Sequence, residues 1–281
     1  MKPPLHGKSL NKASTKRESE AFLGKEVFFE GQEGEKVHGY LSKPYGDGPF
    51  PAIVLVYGGF SSDKATKSMV LRAGIFFYER DYVSLAVDYS KSEFGGKEVD
   101  DVLSGIDYLK SLEYVSKIGL FGSSHGGYIS LMASTKKDVD AVVDCFGFTD
   151  LILMYEYVLS SEFHKDKENI LLKMTEAYGG TPEEVPKVYR EHSPLYHVEK
   201  INSPILFIHG MKDISVPWEQ TKIFAETLEF HEKTYELFLF ENASHGFIFK
   251  DTKEARDAWR KIFEFFRRYL REEFLWIEES F

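Results

Sequence analysis

Cysteine is nearly missing from this 281-residue chain. Cys145 is the only one, so no disulfide within the chain can staple the fold. It lies in the apolar stretch AVVDCFGF, where a thiol is expected to be a buried structural group rather than a nucleophile. Long apolar runs are missing too. None approaches the roughly 18 consecutive residues that a membrane-spanning helix needs. The basic N-terminal stretch MKPPLHGKSLNKASTKRESE has no apolar core of the secretory-signal kind. The expectation is a cytoplasmic protein with no membrane partner. Positive charge is in the minority, 35 basic against 45 acidic residues for a formal net charge of −10, which argues against a nucleic-acid partner. Glutamine occurs only at Gln32 and Gln220, while Lys and Glu abound, a bias resembling hyperthermophile composition. No cluster of His, Cys and Asp has ligand spacing, so neither a metal nor a cofactor is expected.

What the chain does have is apolar residues, 43% of the total, enough to exclude disorder for its bulk. Residues 1–20 read as an arm without chemistry, and residues 21–281 as one domain. KEVFFE and KVHGYLSKP form a predicted hairpin around GQEGE. PAIVLVYGG, bounded by Pro51 and Gly58-Gly59, reads as a strand buried on both faces. Helical spacing follows in KATKSMVLRAGIFFYERD, then strand YVSLAVDY, helix KEVDDVLSGIDYLKSLEYV, strand SKIGLFG, helix HGGYISLMASTKK and strand DAVVDCFGF. Strands alternating with helices predict an α/β fold, a mostly parallel sheet with helices on both faces. From about 150 to 200 the alternation stops. This block holds helical segments and no good strand, with a predicted helix start at Thr181-Pro182-Glu183-Glu184 after a helix end at Gly179-Gly180. SPILFIHG, PWEQTKIFAETLEF, TYELFLFE and a long helix from about Thr252 then resume the pattern. The middle block is therefore expected to be a helical cap inserted over the ligand crevice.

The chemistry centres on GLFGSSHGGY. Gly122-Ser123-Ser124-His125-Gly126 fits G-x-S-x-G between a predicted strand and a predicted helix, the setting in which that motif carries a nucleophile. Side chains two residues either side of Ser124 would collide across so sharp a turn. No G-K-[ST] follows, so it is not a phosphate-binding loop. A serine hydroxyl needs a base, and the motif's setting predicts the order serine, acid, histidine. His245, in NASHGF after the last strand, has the right order and place. His209 lies at a strand end but has no later acid in register. Asp213, in the loop after FIHG, is the candidate acid, with Glu241 its competitor. The oxyanion needs donors. The His125 backbone N–H is one, and the Gly59 or Phe60 N–H a second. On spacing alone Tyr57 is a strand-end aromatic.

VYGGFSS, GLFGSSHGGY, HSPLYHVEKINSPILFIHGMKDISVP and HGF together resemble the α/β-hydrolase fold, and within it the catalytic domain of the prolyl oligopeptidase family and its small dienelactone-hydrolase-type relatives. The resemblance covers roughly residues 25 to 275. It implies Ser124, Asp213 and His245 as the triad, and a Tyr57 hydroxyl aimed at the oxyanion. The chain departs from those peptidases in two ways. Only about 25 residues precede the first strand, where those peptidases carry a large propeller domain, and no paired-glutamate segment offers to bind a peptide N-terminus. The expectation is thus a serine hydrolase for small to medium carboxylic esters. The alternatives are a peptidase releasing acyl-amino acids or short N-terminal peptides, and a non-catalytic binder of hydrophobic ligands. MYEYVLSSEF suggests an apolar lining, with Phe60, Met154, Tyr155 and Val216 as pocket candidates. The partner is therefore a small ester or short peptide; the oligomeric state has no signal.

Overall fold

Alternation builds the first strand. Val27 and Phe29 turn inward while their neighbours face solvent, giving β1 (Lys25–Glu30), which pairs antiparallel with β2 (Lys36–Ser42) across the turn. The structure, a computed structural model, describes residues 24–59, 63–90, 94, 96–162 and 167–271. The arm expected over 1–20 lies outside these residues. β3 (Phe50–Val56) is the strand expected to be covered on both faces, and its residues from Pro51 onward are buried. It is followed by β4 (Val83–Asp88), β5 (Val115–Ser123), β6 (Ala141–Cys145), β7 (Ile205–Gly210) and β8 (Tyr235–Phe240). The eight strands form one sheet in the order β1-β2-β4-β3-β5-β6-β7-β8. β2 joins β4 antiparallel, and every pairing from β4 through β8 is parallel.

Helices cover both faces. After β3 come α1 (Asp63–Met69) and α2 (Ile75–Tyr78), and α3 (Lys97–Lys110) links β4 to β5. The helix α4 (His125–Lys136) follows β5, and α8 (Trp218–Phe230) follows β7; α9 (Lys253–Leu270) ends the described chain. Three short helices, α5 (Leu151–Ser160), α6 (Lys167–Tyr178) and α7 (Pro186–Glu191), with a 3₁₀ segment at Pro194–Lys200, lie between β6 and β7. Along β5, Phe121 stacks on Trp259 of α9 at 5.3 Å. Its neighbour Gly122 faces the other way, toward the start of α4. Phe207 of β7 meets Phe224 of α8 edge-on, and Phe77 of α2 meets Trp259, Phe263 and Phe266 of α9. The Thr252 hydroxyl caps α9 by accepting the Ala255 N–H at 3.1 Å, where the sequence placed the helix start.

Two local expectations need correction. The helix expected from Lys64 to Asp81 is interrupted by a π turn over Val70–Gly74. Gly74 closes that turn, and glycine is a weak α-helix former. Thr181–Glu184 does not start a helix. The Thr181 N–H donates to the Glu184 carboxylate at 2.8 Å and the Val185 N–H to Thr181 O at 2.9 Å, so one capped turn forms. Pro186 then stops it. The residue before a proline is pushed out of the α region, and Val185 sits at φ −130°, ψ 53°, so α7 begins only at Pro186. Gly179, at φ +76°, does end α6 as expected, with the Gly180 N–H donating to Thr175 O at 3.0 Å.

Cys145 is fully buried, and burial raises its thiol well above the ordinary range. Beside it, Asp144 is also fully buried, in register between Gly122 of β5 and Phe207 of β7. One carboxylate oxygen accepts the Gly147 N–H at 2.9 Å, and burial pushes its carboxyl up to about 7. The unfolded chain ionises this group near pH 4, so between pH 4 and 7 the folded state holds the extra proton and stability falls as pH rises. Asp144→Asn keeps the acceptor for Gly147 and removes the titration. Relative to wild type, the variant should therefore gain several kcal/mol between pH 4.5 and 8. Urea unfolding at the two pH values checks this; equal pH dependence in both proteins refutes it.

Candidate active site

The strand order creates the site. From β3 the chain moves to β4 on one side and returns to β5 on the other. The loops leaving β3 and β5 therefore diverge, opening a crevice at the strand C-terminal ends. Tyr57 to Gly59 leave β3 there, Ser124 leaves β5, Asp213 follows β7 and His245 follows β8.

Ser124 is held at φ 55°, ψ −123°, a backbone region that residues with a Cβ rarely occupy. Close packing enforces it. A Cβ on Gly122 would lie 2.1 Å from Gly126 O, and one on Gly126 would lie 2.1 Å from Val56 O. The Ser124 N–H donates to Cys145 O at 2.8 Å, and Ser124 O accepts from Gly127 and Tyr128 in the first turn of α4. Phe146 (φ 50°) and Phe94 (φ 69°) are also left-handed. The first packs its ring edge-on against His245 at 4.8 Å and the second lies 5.5 Å from the His125 ring. Three strained non-glycine residues thus gather at one place, as happens where a surrounding structure over-determines a site.

His245 Nδ1 lies 2.6 Å from Asp213 Oδ2, and its Nε2 lies 3.0 Å from Ser124 Oγ. A carboxylate can only accept, so Nδ1 carries the proton and Nε2 is left to accept from the serine hydroxyl. The Asp213 side chain is fully buried. Burial alone would raise its carboxyl. The hydrogen bonds from His209 and His245, the charge of His245 and the Val216 N–H outweigh it and hold the carboxyl well below the usual range. Asp213 Oδ1 accepts the Ser215 N–H at 2.8 Å and the Val216 N–H at 3.0 Å. The competitor Glu241 is exposed. His209, with no later acid in register in the sequence, nonetheless has its Nε2 3.4 Å from Asp213 Oδ2, with both side chains fully buried. No signal in a strand-end histidine reveals that contact.

His125 opens α4, and the first N–H groups of a helix have no intrahelical acceptor. Its ring is buried, with Nδ1 3.3 Å from Gly59 O and Nε2 3.8 Å from the fully buried Glu98. Tyr57 is buried and stacks on Tyr89 at 4.2 Å. The Tyr89 hydroxyl lies within hydrogen-bond reach of Tyr57 O (3.1 Å) and Gly59 O (2.9 Å) and ties the loop down. Phe60 lies outside the described residues. Among the pocket candidates, Val216 is buried against Asp213 through its N–H. Met154 is buried with its sulfur 4.0 Å from the Gln220 amide, and Tyr155 packs edge-on against Tyr189. Among the described residues, no hydrogen bond or ring contact brings those last two to the serine. Helix α5 instead reaches the acid loop through Tyr157, whose hydroxyl donates to Ile214 O at 2.9 Å.

Away from this site, the described residues include one group of metal-ligand type that sequence spacing does not reveal, because its members come from β2, α1 and the end of β4. His38, Asp63 and Asp88 hold donor atoms within 4.8 Å of one another. They already have protein partners. His38 Nδ1 meets Asp88 at 3.0 Å, Thr66 donates to Asp88, and Tyr40 and Lys67 donate to Asp63. Among the described residues, no helix is long and apolar enough to cross a membrane.

Comparison with known proteins agrees with this architecture. The chain is 28% identical to an uncharacterized peptidase, YtmA, of Bacillus subtilis over 78% of its own length and 85% of that protein. Its fold superposes on the acylaminoacyl peptidase of Pyrococcus horikoshii with a TM-score of 0.71 at 23% identity, covering 92% of this chain and only 42% of that one. The Pyrococcus furiosus esterase PF2001 superposes with a TM-score of 0.72 at 20% identity, over 96% of this chain and 98% of the esterase. A match to the prolyl oligopeptidase family profile spans residues 87–273, two thirds of the chain and the whole run from β5 to α9. With its parallel sheet, its strained serine after β5 and that match, the chain belongs to the prolyl oligopeptidase family of serine hydrolases.

Proposed function

We propose that this protein hydrolyses small to medium carboxylic esters through an acyl-enzyme, with Ser124 as nucleophile, His245 as base and Asp213 as the acid that orients it. The reading rests on one observation, the unbroken hydrogen-bonded chain from Ser124 Oγ through His245 to the buried Asp213 carboxylate. As Oγ attacks the ester carbonyl, its proton passes to Nε2, and the imidazolium is stabilised by Asp213. The carbonyl oxygen becomes an oxyanion and meets the His125 N–H and a donor from the loop after β3. On collapse Nε2 gives the proton to the leaving alkoxide. Water then repeats the sequence on the acyl-enzyme and frees the acid. The helices between β6 and β7 act as a cap, joined to the acid loop through Tyr157.

A second reading, cleavage of acyl-amino acids or short peptides, is supported by the family and by the acylaminoacyl peptidase likeness. A panel of p-nitrophenyl esters and acyl-amino-acid p-nitroanilides separates the two by kcat/KM. A fluorophosphonate probe tests what they share. Wild type should be labelled at Ser124, and an unlabelled wild type would leave a ligand-binding protein.

Tyr57 carries a separate expectation. Tyr57→Phe keeps the stack on Tyr89 and deletes only the hydroxyl. If that hydroxyl serves the oxyanion, kcat falls by about 10²–10³ with KM little changed. A kcat within about threefold of wild type assigns the second donor to the backbone.

A further inference from the structure

We infer that His209 and Thr221 are positioning residues for the triad acid, forming a buried outer arm that shares Asp213 Oδ2 with the catalytic histidine. The inference rests on the proposed triad. His209 is fully buried at the end of β7, and its ring has three polar neighbours: Thr221 Oγ1 at 2.7 Å from Nδ1, and Val216 O and Asp213 Oδ2 at 3.2 and 3.4 Å from Nε2. The last two can only accept. A lone pair at Nε2 would face two oxygen acceptors in a buried site, so the proton sits on Nε2 and is shared between them. Nδ1 is then the acceptor, and the Thr221 hydroxyl, on α8, donates to it. The tautomer of His209 is therefore set from the helix side.

For Asp213 the consequence is saturation. Oδ1 takes two backbone N–H groups from its own loop, and Oδ2 takes His245 on one side at 2.6 Å while the Nε2 of His209, shared with Val216 O, approaches it on the other at 3.4 Å. With three hydrogen bonds and the His209 contact, from three directions, the carboxylate has one orientation. Because His209 draws on the same oxygen that serves His245, it also moderates how strongly Asp213 favours a protonated His245. The other titratable groups in the neighbourhood are Tyr157 on α5, which feels the Asp213 charge, and Glu219 on α8. Neither makes a hydrogen bond to the carboxylate.

The test is the pH profile of kcat/KM for one activated ester, measured on His209→Phe, Thr221→Val and Thr221→Ser. His209→Phe keeps the ring volume and removes the donor. The acid limb should then move to higher pH by about half a unit to one unit, the shift expected from one hydrogen bond. At the optimum kcat should fall about tenfold while KM stays put, since misorientation acts on the chemical step. Thr221→Val leaves the ring in place but frees its tautomer, and should move the limb in the same direction by less. Thr221→Ser, which keeps the hydroxyl, should match wild type. An unmoved acid limb in folded His209→Phe and Thr221→Val overturns the inference; should His209→Phe not fold, Thr221→Val decides alone. Failure here stays distinct from failure of the triad, because an active Ser124→Ala would remove the triad whatever these variants do.

Discussion

Ser124→Ala is expected to leave no measurable turnover of an activated ester beyond what binding and the oxyanion donors provide. In a serine triad, loss of the nucleophile removes about six orders of magnitude in kcat, and the remaining 10³–10⁴ over water comes from the rest of the site. The geometry offers no substitute. Ser123, the adjacent hydroxyl, is the last residue of β5 and buried, and His245 Nε2 has its hydrogen-bond partner in Ser124. Stability should hardly change. The strain at φ 55° comes from the Cβ, which alanine keeps. Fluorophosphonate labelling and circular dichroism on the same preparation check both halves, and turnover like that of wild type would remove Ser124 from the mechanism.

The second large effect is expected at Asp213→Asn, a loss of up to about 10⁴ in kcat. The local hydrogen bonds dictate how asparagine would sit. The N–H groups of Ser215 and Val216 both point at Oδ1 and need an acceptor, so the amide oxygen takes that place. The amide NH₂ is then turned toward His245 Nδ1 and His209 Nε2, a donor where an acceptor stood. His245 is driven to the tautomer with its proton on Nε2, which cannot take the serine's. Glu241→Gln, at an exposed position, should change kcat by less than about threefold. The reverse ranking in steady-state kinetics would reassign the acid. Because the folded carboxyl of Asp213 is held below its ordinary range, its contribution to stability is present above about pH 4 and fades below it. The Asp144 window between pH 4.5 and 8 is therefore free of it.

The strand and helix alternation was legible because most strands are short apolar runs with glycine or proline beside them, and the two longest helices, α3 and α9, each show one apolar stripe. The break at about 150 to 200 was legible for the same reason, as four helical pieces with no strand between them. The serine, the acid and the base could be nominated because each follows a recognisable strand. Other features depend on contacts across the sheet. His209 touches Asp213 because β7 carries one and the following loop folds back to bring the other beneath it. Asp144 is buried only because β5 and β7 flank it. Phe146 meets His245 across a separation in sequence that carries no pattern at all. Thr181–Glu184 misled for the opposite reason: its local signal was sound, and Pro186 cut it short.

The site draws on loops after β3, β5, β7 and β8, and Ser124 and His245 stand 121 residues apart. During synthesis or refolding, the base is therefore in place only after the edge strand β8 has docked. On the proposed mechanism the serine is until that moment without its base and the chain inert. Long-range closures of this kind are slow steps, so regained hydrolase activity should track the last folding phase rather than the first appearance of helix. The enzyme thus carries its own readout of completed assembly, and a truncation before His245 should yield a silent protein however much of the sheet it forms.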